Sequence, residues 1–73
     1  MWAVRVNHNK KPYDSFALAM ANIRKELRSQ HVSLEQIKPS GIRVTNFLSV
    51  SDSGDVVDTY TGKPINSEAD LSG

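Results

Sequence analysis

Four large apolar side chains recur at helical spacing in the first half of the chain, and they constrain its fold more than any other feature. The residues at intervals of four, three and four are Phe16, Met20, Ile23 and Leu27. At 3.6 residues per turn they form one stripe of an α-helix, which is stable only when it packs against a core. The sequence therefore predicts a helix over about residues 14–27 that covers another apolar surface.

Two capping patterns set the predicted helical boundaries. Asp14 is the expected N-cap, because its carboxylate can accept hydrogen bonds from the first free N–H groups, and Tyr13 and Leu18 then form a hydrophobic staple. Residues 33–36, Ser-Leu-Glu-Gln, have the form of a second capping box. Pro39 follows closely, so we expect only a short helical turn there.

Alternation of apolar and polar residues predicts three strands. Trp2, Val4 and Val6 alternate with other residues at the N-terminus, and a longer alternation covers residues 42–50. A turn rich in Ser, Asp and Gly leads to a partner strand over residues 56–61. The expected fold is α+β: a three-stranded, antiparallel-rich sheet with one main helix packed on one face.

Length and composition indicate a single domain. The 73 residues include no cysteine, so disulfides and thiolate metal ligands are excluded, and no apolar run reaches the length of a membrane span. We expect one α+β domain over residues 1–65, an acidic, flexible and disordered tail over residues 66–73, and a cytoplasmic location. Residues 1–51 carry eight Lys or Arg against three acids, whereas residues 52–73 carry one against five.

The strand pattern also predicts which side chains are buried and which face outward. The expected core comprises Trp2, Val4, Val6, Phe16, Met20, Ile23, Leu27, Ile42, Val44 and Leu48. The opposite sheet face would present Ala3, Arg5, Arg43, Thr45 and Phe47. Aromatic residues and arginine are enriched at protein interfaces. Solvation of this face is the alternative without a function.

We predict that a protein partner binds this face and the first strand, which could accept an added strand if it lies at the sheet edge. The predicted contacts are Val4, Arg5, Val6, Arg43, Thr45 and Phe47. The competing hypothesis is a small nucleic-acid-binding module. Its phosphate contacts would be Lys10, Lys11, Arg24, Lys25 and Arg28.

Catalytic and metal-binding chemistry has little support in the sequence. His8 and His31 lie in no motif with a nucleophile, and Gly54 comes too early after Asp52 for a calcium-binding loop. A helix-turn-helix would need a longer second helix than Pro39 allows. We therefore expect a protein that is not an enzyme and has no cofactor or metal.

The chain resembles the small RNA-polymerase-binding regulators encoded by lytic phages. The likeness lies in the length of 73 residues, the opening Met1-Trp2-Ala3-Val4-Arg5-Val6, one helix, a hairpin around Ser53-Gly54-Asp55 and an acidic tail. It implies a protein of the host cytoplasm that binds the largest subunit of bacterial RNA polymerase, and we expect this protein to be a monomer. Such a protein inhibits transcription initiation or acts as an antiterminator. Because the likeness is one of layout, it transfers no functional residues.

Overall fold

A computed structural model describes residues 1–71 as one helix packed on a five-stranded antiparallel sheet. The elements in chain order are β1 (Trp2–Val6), β2 (Asn9–Tyr13), α1 (Phe16–Glu26), β3 (His31–Ile37), β4 (Arg43–Val50), β5 (Val56–Asp58) and a 3-10 turn (Glu68–Asp70). The strand order across the sheet is β2-β1-β3-β4-β5. The α+β class is confirmed, and the prediction of three strands is wrong by two.

The strand β2 was not predicted, because its sequence is polar and contains Pro12. It pairs with β1 through a two-residue turn in which Asn7 has a φ of 56°. The pair that closes such a hairpin, here Val6 with Asn9, is hydrogen-bonded, and hydrogen-bonded pairs alternate with non-hydrogen-bonded pairs along the strands. Pro12 stands opposite Ala3 in a non-hydrogen-bonded pair. A proline therefore costs this edge strand no ladder hydrogen bond to β1.

The strand β3 replaces the short helical turn predicted from the capping pattern at residues 33–36. It pairs with β1 on one side and β4 on the other, and Leu34 stands opposite both Val4 and Asn46. Val32 and Leu34 are buried beneath α1. Burial between two long-range partners stabilises the extended conformation more than the local capping box stabilises a helix.

The predicted helix is confirmed, but it begins later than expected. Ser15 is the N-cap, and its side chain accepts a hydrogen bond from the Leu18 N–H group at 3.2 Å. The predicted N-cap, Asp14, is therefore wrong by one residue. A hydrophobic staple joins the residue before the N-cap to the fourth helical residue, and with Ser15 as the N-cap Tyr13 and Leu18 no longer occupy these positions. Leu18 is 54% exposed.

The core lies between α1 and the facing side of the sheet. Its buried apolar members are Trp2, Val4, Ala19, Met20, Ile23, Val32, Leu34, Leu48, Val50, Val56 and Ile65. Phe16 and Leu27 from the helical stripe are partly buried against it. The predicted core residue Ile42 is wrong: it precedes β4 and is 61% exposed.

The C-terminal segment is ordered through residue 71, contrary to the expected disordered tail, whose last two residues lie outside the described part of the chain. Ile65 is buried, and its N–H donates to the Val56 carbonyl at 2.9 Å. Leu71 packs partly against the core. The segment therefore covers the outer edge of β5. Its apolar side chains contribute to the core although the segment is mostly polar.

The pH dependence of stability should report on this segment. The N–H groups of Asn66 and Ser67 donate to the Asp70 carboxylate at 2.9 and 3.0 Å, and they hold the pKa of Asp70 below its usual value of 3.8. A lowered pKa adds stability above the usual value that is lost as the pH falls through the folded-state pKa. We expect wild type to lose more stability than Asp70→Asn between pH 5 and pH 2.5, roughly the range in which a depressed Asp titrates, in urea titrations. Equal losses would contradict this.

Gly54 fixes the β4–β5 turn against the C-terminal end of α1. Its φ is 92°, and an added Cβ would lie 3.0 Å from the Arg24 carbonyl oxygen. Gly41 has a φ of 90° but no atom within 4 Å of the added Cβ, which makes it a matched control. We expect Gly41→Ala to cost about 1–2 kcal/mol from backbone strain alone and Gly54→Ala to cost about 1 kcal/mol more. Urea unfolding followed by the fluorescence of buried Trp2 measures both, and equal costs would show that the contact is unimportant.

Candidate interaction surface

The side of the sheet that faces away from α1 forms a continuous surface, which we call the open face. The strand registers align its side chains in rows across the strands. One row runs through Lys10, Arg5, Ser33 and Phe47, and the next runs through Pro12, Ala3, Glu35 and Thr45. The His31–Ser49 pair lies alongside the row of Phe47, and the Ile37–Arg43 pair lies alongside the row of Thr45 on the opposite side.

Positive charge dominates the open face. The Lys10 ammonium reaches across β1 to a Glu35 carboxylate oxygen at 2.9 Å. This hydrogen bond lowers the pKa of Glu35, partial burial opposes it, and the nearby charges of Arg43 and Arg5 lower it further. Within residues 1–71, neither arginine forms an ion pair of its own. One carboxylate is thus surrounded by three basic side chains, which leaves the surface electropositive.

Two exposed aromatic side chains lie beside this charge. Phe47 is 46% exposed and Tyr60 is 79% exposed, and their rings meet edge to face with centroids 5.9 Å apart and an interplanar angle of 88°. The backbone N–H of Thr59 donates to the Phe47 carbonyl at 2.9 Å, which continues the pairing of β4 past the end of β5. The buried Asp58 carboxylate then accepts the N–H groups of Tyr60 and Thr61. This turn holds Tyr60 against Phe47.

Phe47 lines two concavities in the open face. The larger has a volume of about 270 Å³, and its other lining residues are Ala3, Arg5, Lys10, Ser33, Glu35 and Thr45. The smaller has a volume of about 190 Å³ and lies along the aromatic pair, where His31 and Thr59 also line it. The surface therefore offers a charged depression and an aromatic depression that share Phe47.

A short chain of hydroxyl groups borders the aromatic depression. His31 Nδ1 lies 3.0 Å from Ser49 Oγ, which lies 2.9 Å from Thr59 Oγ1. No group of three His, Asp or Glu residues that could hold a metal ion occurs among the described residues. These contacts fix side-chain orientation at the rim of the surface.

The open face brings together four of the six predicted partner contacts, namely Arg5, Arg43, Thr45 and Phe47. Val4 is buried and Val6 is half-buried on the opposite side, facing α1, so both belong with the core. The first strand does not lie at the edge of the sheet, because β2 and β3 flank it. Its backbone therefore cannot pair with an added strand. Tyr60 was not among the predicted contacts.

The residues of the nucleic-acid hypothesis do not form one surface. Lys10 lies on the open face, whereas Lys11 lies on the α1 side with its ammonium 5.8 Å from the centre of the Tyr13 ring. Arg24, Lys25 and Arg28 belong to α1 and the residues that follow it. The Arg24 guanidinium donates to the Ile65 carbonyl at 3.5 Å, and Arg28 Nε donates to the Arg24 carbonyl at 3.0 Å. The strand β3 also removes the second helix of a helix-turn-helix.

No helix within residues 1–71 is long and apolar enough to cross a bilayer. Comparisons with protein-family models, with curated proteins and with solved structures gave no match for this chain.

Proposed function

We propose that this protein is a non-enzymatic regulator that binds a bacterial protein partner through the open face of its sheet. The observation that carries the proposal is the exposed Phe47–Tyr60 pair on the same face as Arg5 and Arg43, which form no ion pair within residues 1–71. Burial of exposed aromatic side chains by a partner stabilises the complex, and arginine adds specific hydrogen bonds. A sheet held by α1 on its other side presents these groups on a rigid base.

The proposed partner is host RNA polymerase, bound through its largest subunit in the bacterial cytoplasm. The resemblance in length and layout to phage-encoded regulators supports this choice of partner. A monomer of this size acts by occupying a surface, and it would inhibit transcription initiation, allow elongating polymerase to pass terminators, or do both. The side chains of the open face contact the polymerase, and the packed core on the other side of the sheet fixes their positions.

Binding to purified bacterial RNA polymerase core enzyme and holoenzyme tests the proposal, with biolayer interferometry as the measurement. We expect the wild-type chain to bind and Arg5→Glu with Arg43→Glu to bind at least about tenfold more weakly, because charge reversal on the open face introduces repulsion. Lys11→Glu with Lys25→Glu is the matched control: it changes the net charge equally on the α1 side and should bind as wild type does.

Two outcomes would contradict the proposal. One is the absence of binding to either form of the polymerase, and the other is equal affinity of the open-face variant and wild type. Transcription from a σ-dependent promoter, with a terminator downstream, then separates inhibition of initiation from antitermination. The open-face variant should lose whichever effect the wild-type protein has.

The alternative function is nucleic-acid binding, and the observation that favours it is the exposed Phe47 ring in one depression with Arg5 and Lys10, because a single base can stack on such a ring while basic side chains contact phosphate. Its basic contacts would then be Arg5, Lys10 and Arg43 rather than the helix residues. Affinity for a single-stranded oligonucleotide would fall steeply as salt is raised. Tight binding of an oligonucleotide by the purified protein, without polymerase, would favour this alternative.

A further inference from the structure

We propose that the segment bound by the open face is an acidic stretch of protein that carries a large apolar side chain, preferably aromatic, next to its carboxylates. This inference rests on the proposed function and specifies the chemistry of the partner. The carboxylates lie against Arg5 and Arg43, and the apolar side chain enters the depression beside Phe47 and Tyr60.

The charge of the surface requires an acidic occupant. Lys10 already engages Glu35, whereas Arg5 and Arg43 act on that same carboxylate only from a distance. Covering two arginines without supplying a counter-ion would cost desolvation free energy. Carboxylates avoid this cost, because their two oxygens match the parallel N–H groups of a guanidinium.

The volume of the aromatic depression defines the second requirement. A cavity of about 150 Å³ holds a benzene ring, and the depression beside Phe47 and Tyr60 measures about 190 Å³. An inserted ring would meet the edge or face of both aromatic side chains, an arrangement that stabilises aromatic clusters. Because Phe47 lines both depressions and Arg5 lines the larger one, the ring and the carboxylate that meets Arg5 belong to neighbouring residues of one segment. The carboxylate that meets Arg43, four residues from Phe47 in β4, lies farther along the same segment.

The orientation of the two rings favours a protein segment over a single-stranded nucleic acid. Successive bases of a bound strand stack on the flat faces of aromatic side chains. Phe47 and Tyr60 stand at 88° to each other, so they do not offer two parallel platforms to successive bases. Glu35 would also lie close to a phosphate chain that followed the basic residues, whereas a protein segment can place a hydroxyl or amide group there.

A titration of the ¹⁵N-labelled full chain, followed by amide chemical shifts, tests the inference. The main probe is a ten-residue peptide of Asp and Glu with one central Trp. The matched probes replace Trp with Ser, replace every acid with Lys, or substitute the oligonucleotide dT10. We expect shifts at Arg5, Ser33, Thr45, Phe47 and Tyr60 and none at the exposed residues of α1, with the Trp peptide binding at least fivefold more tightly than the Ser peptide.

Variants of the protein test the same inference with the Trp peptide as the probe. Arg5→Glu with Arg43→Glu should weaken binding of the Trp peptide at least tenfold, and Lys11→Glu with Lys25→Glu should leave it unchanged. Equal binding of the Lys peptide, shifts centred on α1, tighter binding of dT10, or no binding of the acidic peptide would each overturn the inference. If polymerase binds and the acidic peptide does not, this inference fails alone; if the peptide binds and polymerase does not, the proposed partner is wrong.

Discussion

Leu34→Ala is expected to remove a large part of the free energy of unfolding of this protein. Leu34 is fully buried at the centre of β3, opposite Val4 on one side and Asn46 on the other. Truncation of a buried leucine to alanine costs about 2–5 kcal/mol, because the lost side chain leaves a cavity. A domain of this length has a total free energy of unfolding of roughly 4–11 kcal/mol. The variant should therefore show a much lower urea midpoint, or no folded baseline at all.

Leu18→Ala provides the matched control for this prediction. It makes the same chemical change on the exposed side of α1, where Leu18 is 54% exposed and alanine is at least as good a helix former. We expect its free energy of unfolding to stay within about 0.5 kcal/mol of wild type. Similar losses for the two variants would mean that β3 is not the central strand of the sheet.

Phe47→Ala is expected to weaken binding of the partner by about 30-fold or more, the effect of removing a central aromatic anchor from an interface. The side chain lies at the junction of the two depressions and contacts Tyr60. Phe47 is 46% exposed, so its truncation should change the free energy of unfolding much less than Leu34→Ala does. Biolayer interferometry with RNA polymerase, together with urea titration, separates the two effects.

Ile42→Ala controls for the loss of any exposed apolar side chain. Ile42 is 61% exposed and lies outside both depressions, so binding should be unchanged. Tyr60→Ala completes the test: combined with Phe47→Ala, it should weaken binding by less than the product of the single effects, because the two rings pack on each other. A wild-type affinity for Phe47→Ala would remove Phe47 from the interface.

The sequence predicted those parts of the fold whose signals are local. The spacing of Phe16, Met20 and Ile23 identified α1 and its buried side, and alternation identified β1 and the hairpin of β4 and β5. The same alternation placed Arg5 and Phe47 on one face, since successive strand residues point to opposite sides. Four members of the candidate surface were therefore available from the sequence.

Tyr60 and Lys10 joined that surface only through tertiary structure. Lys10 belongs to β2, which has no apolar alternation and exists because the turn at Asn7 returns the chain along β1. Tyr60 reaches Phe47 because the Asp58 carboxylate shapes the turn that follows β5. Neither the position of Lys10 nor that of Tyr60 follows from residue types at a fixed spacing in the sequence, so no sequence pattern predicted that they join the surface.

What the sequence determined by itself was the helix, the hairpin and the polarity of the two sheet faces, because periodicity acts through neighbours in the chain. Tertiary structure alone decided that residues 31–37 form a strand and that residues 66–71 are ordered. Val32 and Leu34 are buried by α1, β1 and β4, and Leu71 packs partly against the core. This long-range burial contributes more free energy than the local capping pattern and polar composition that pointed elsewhere.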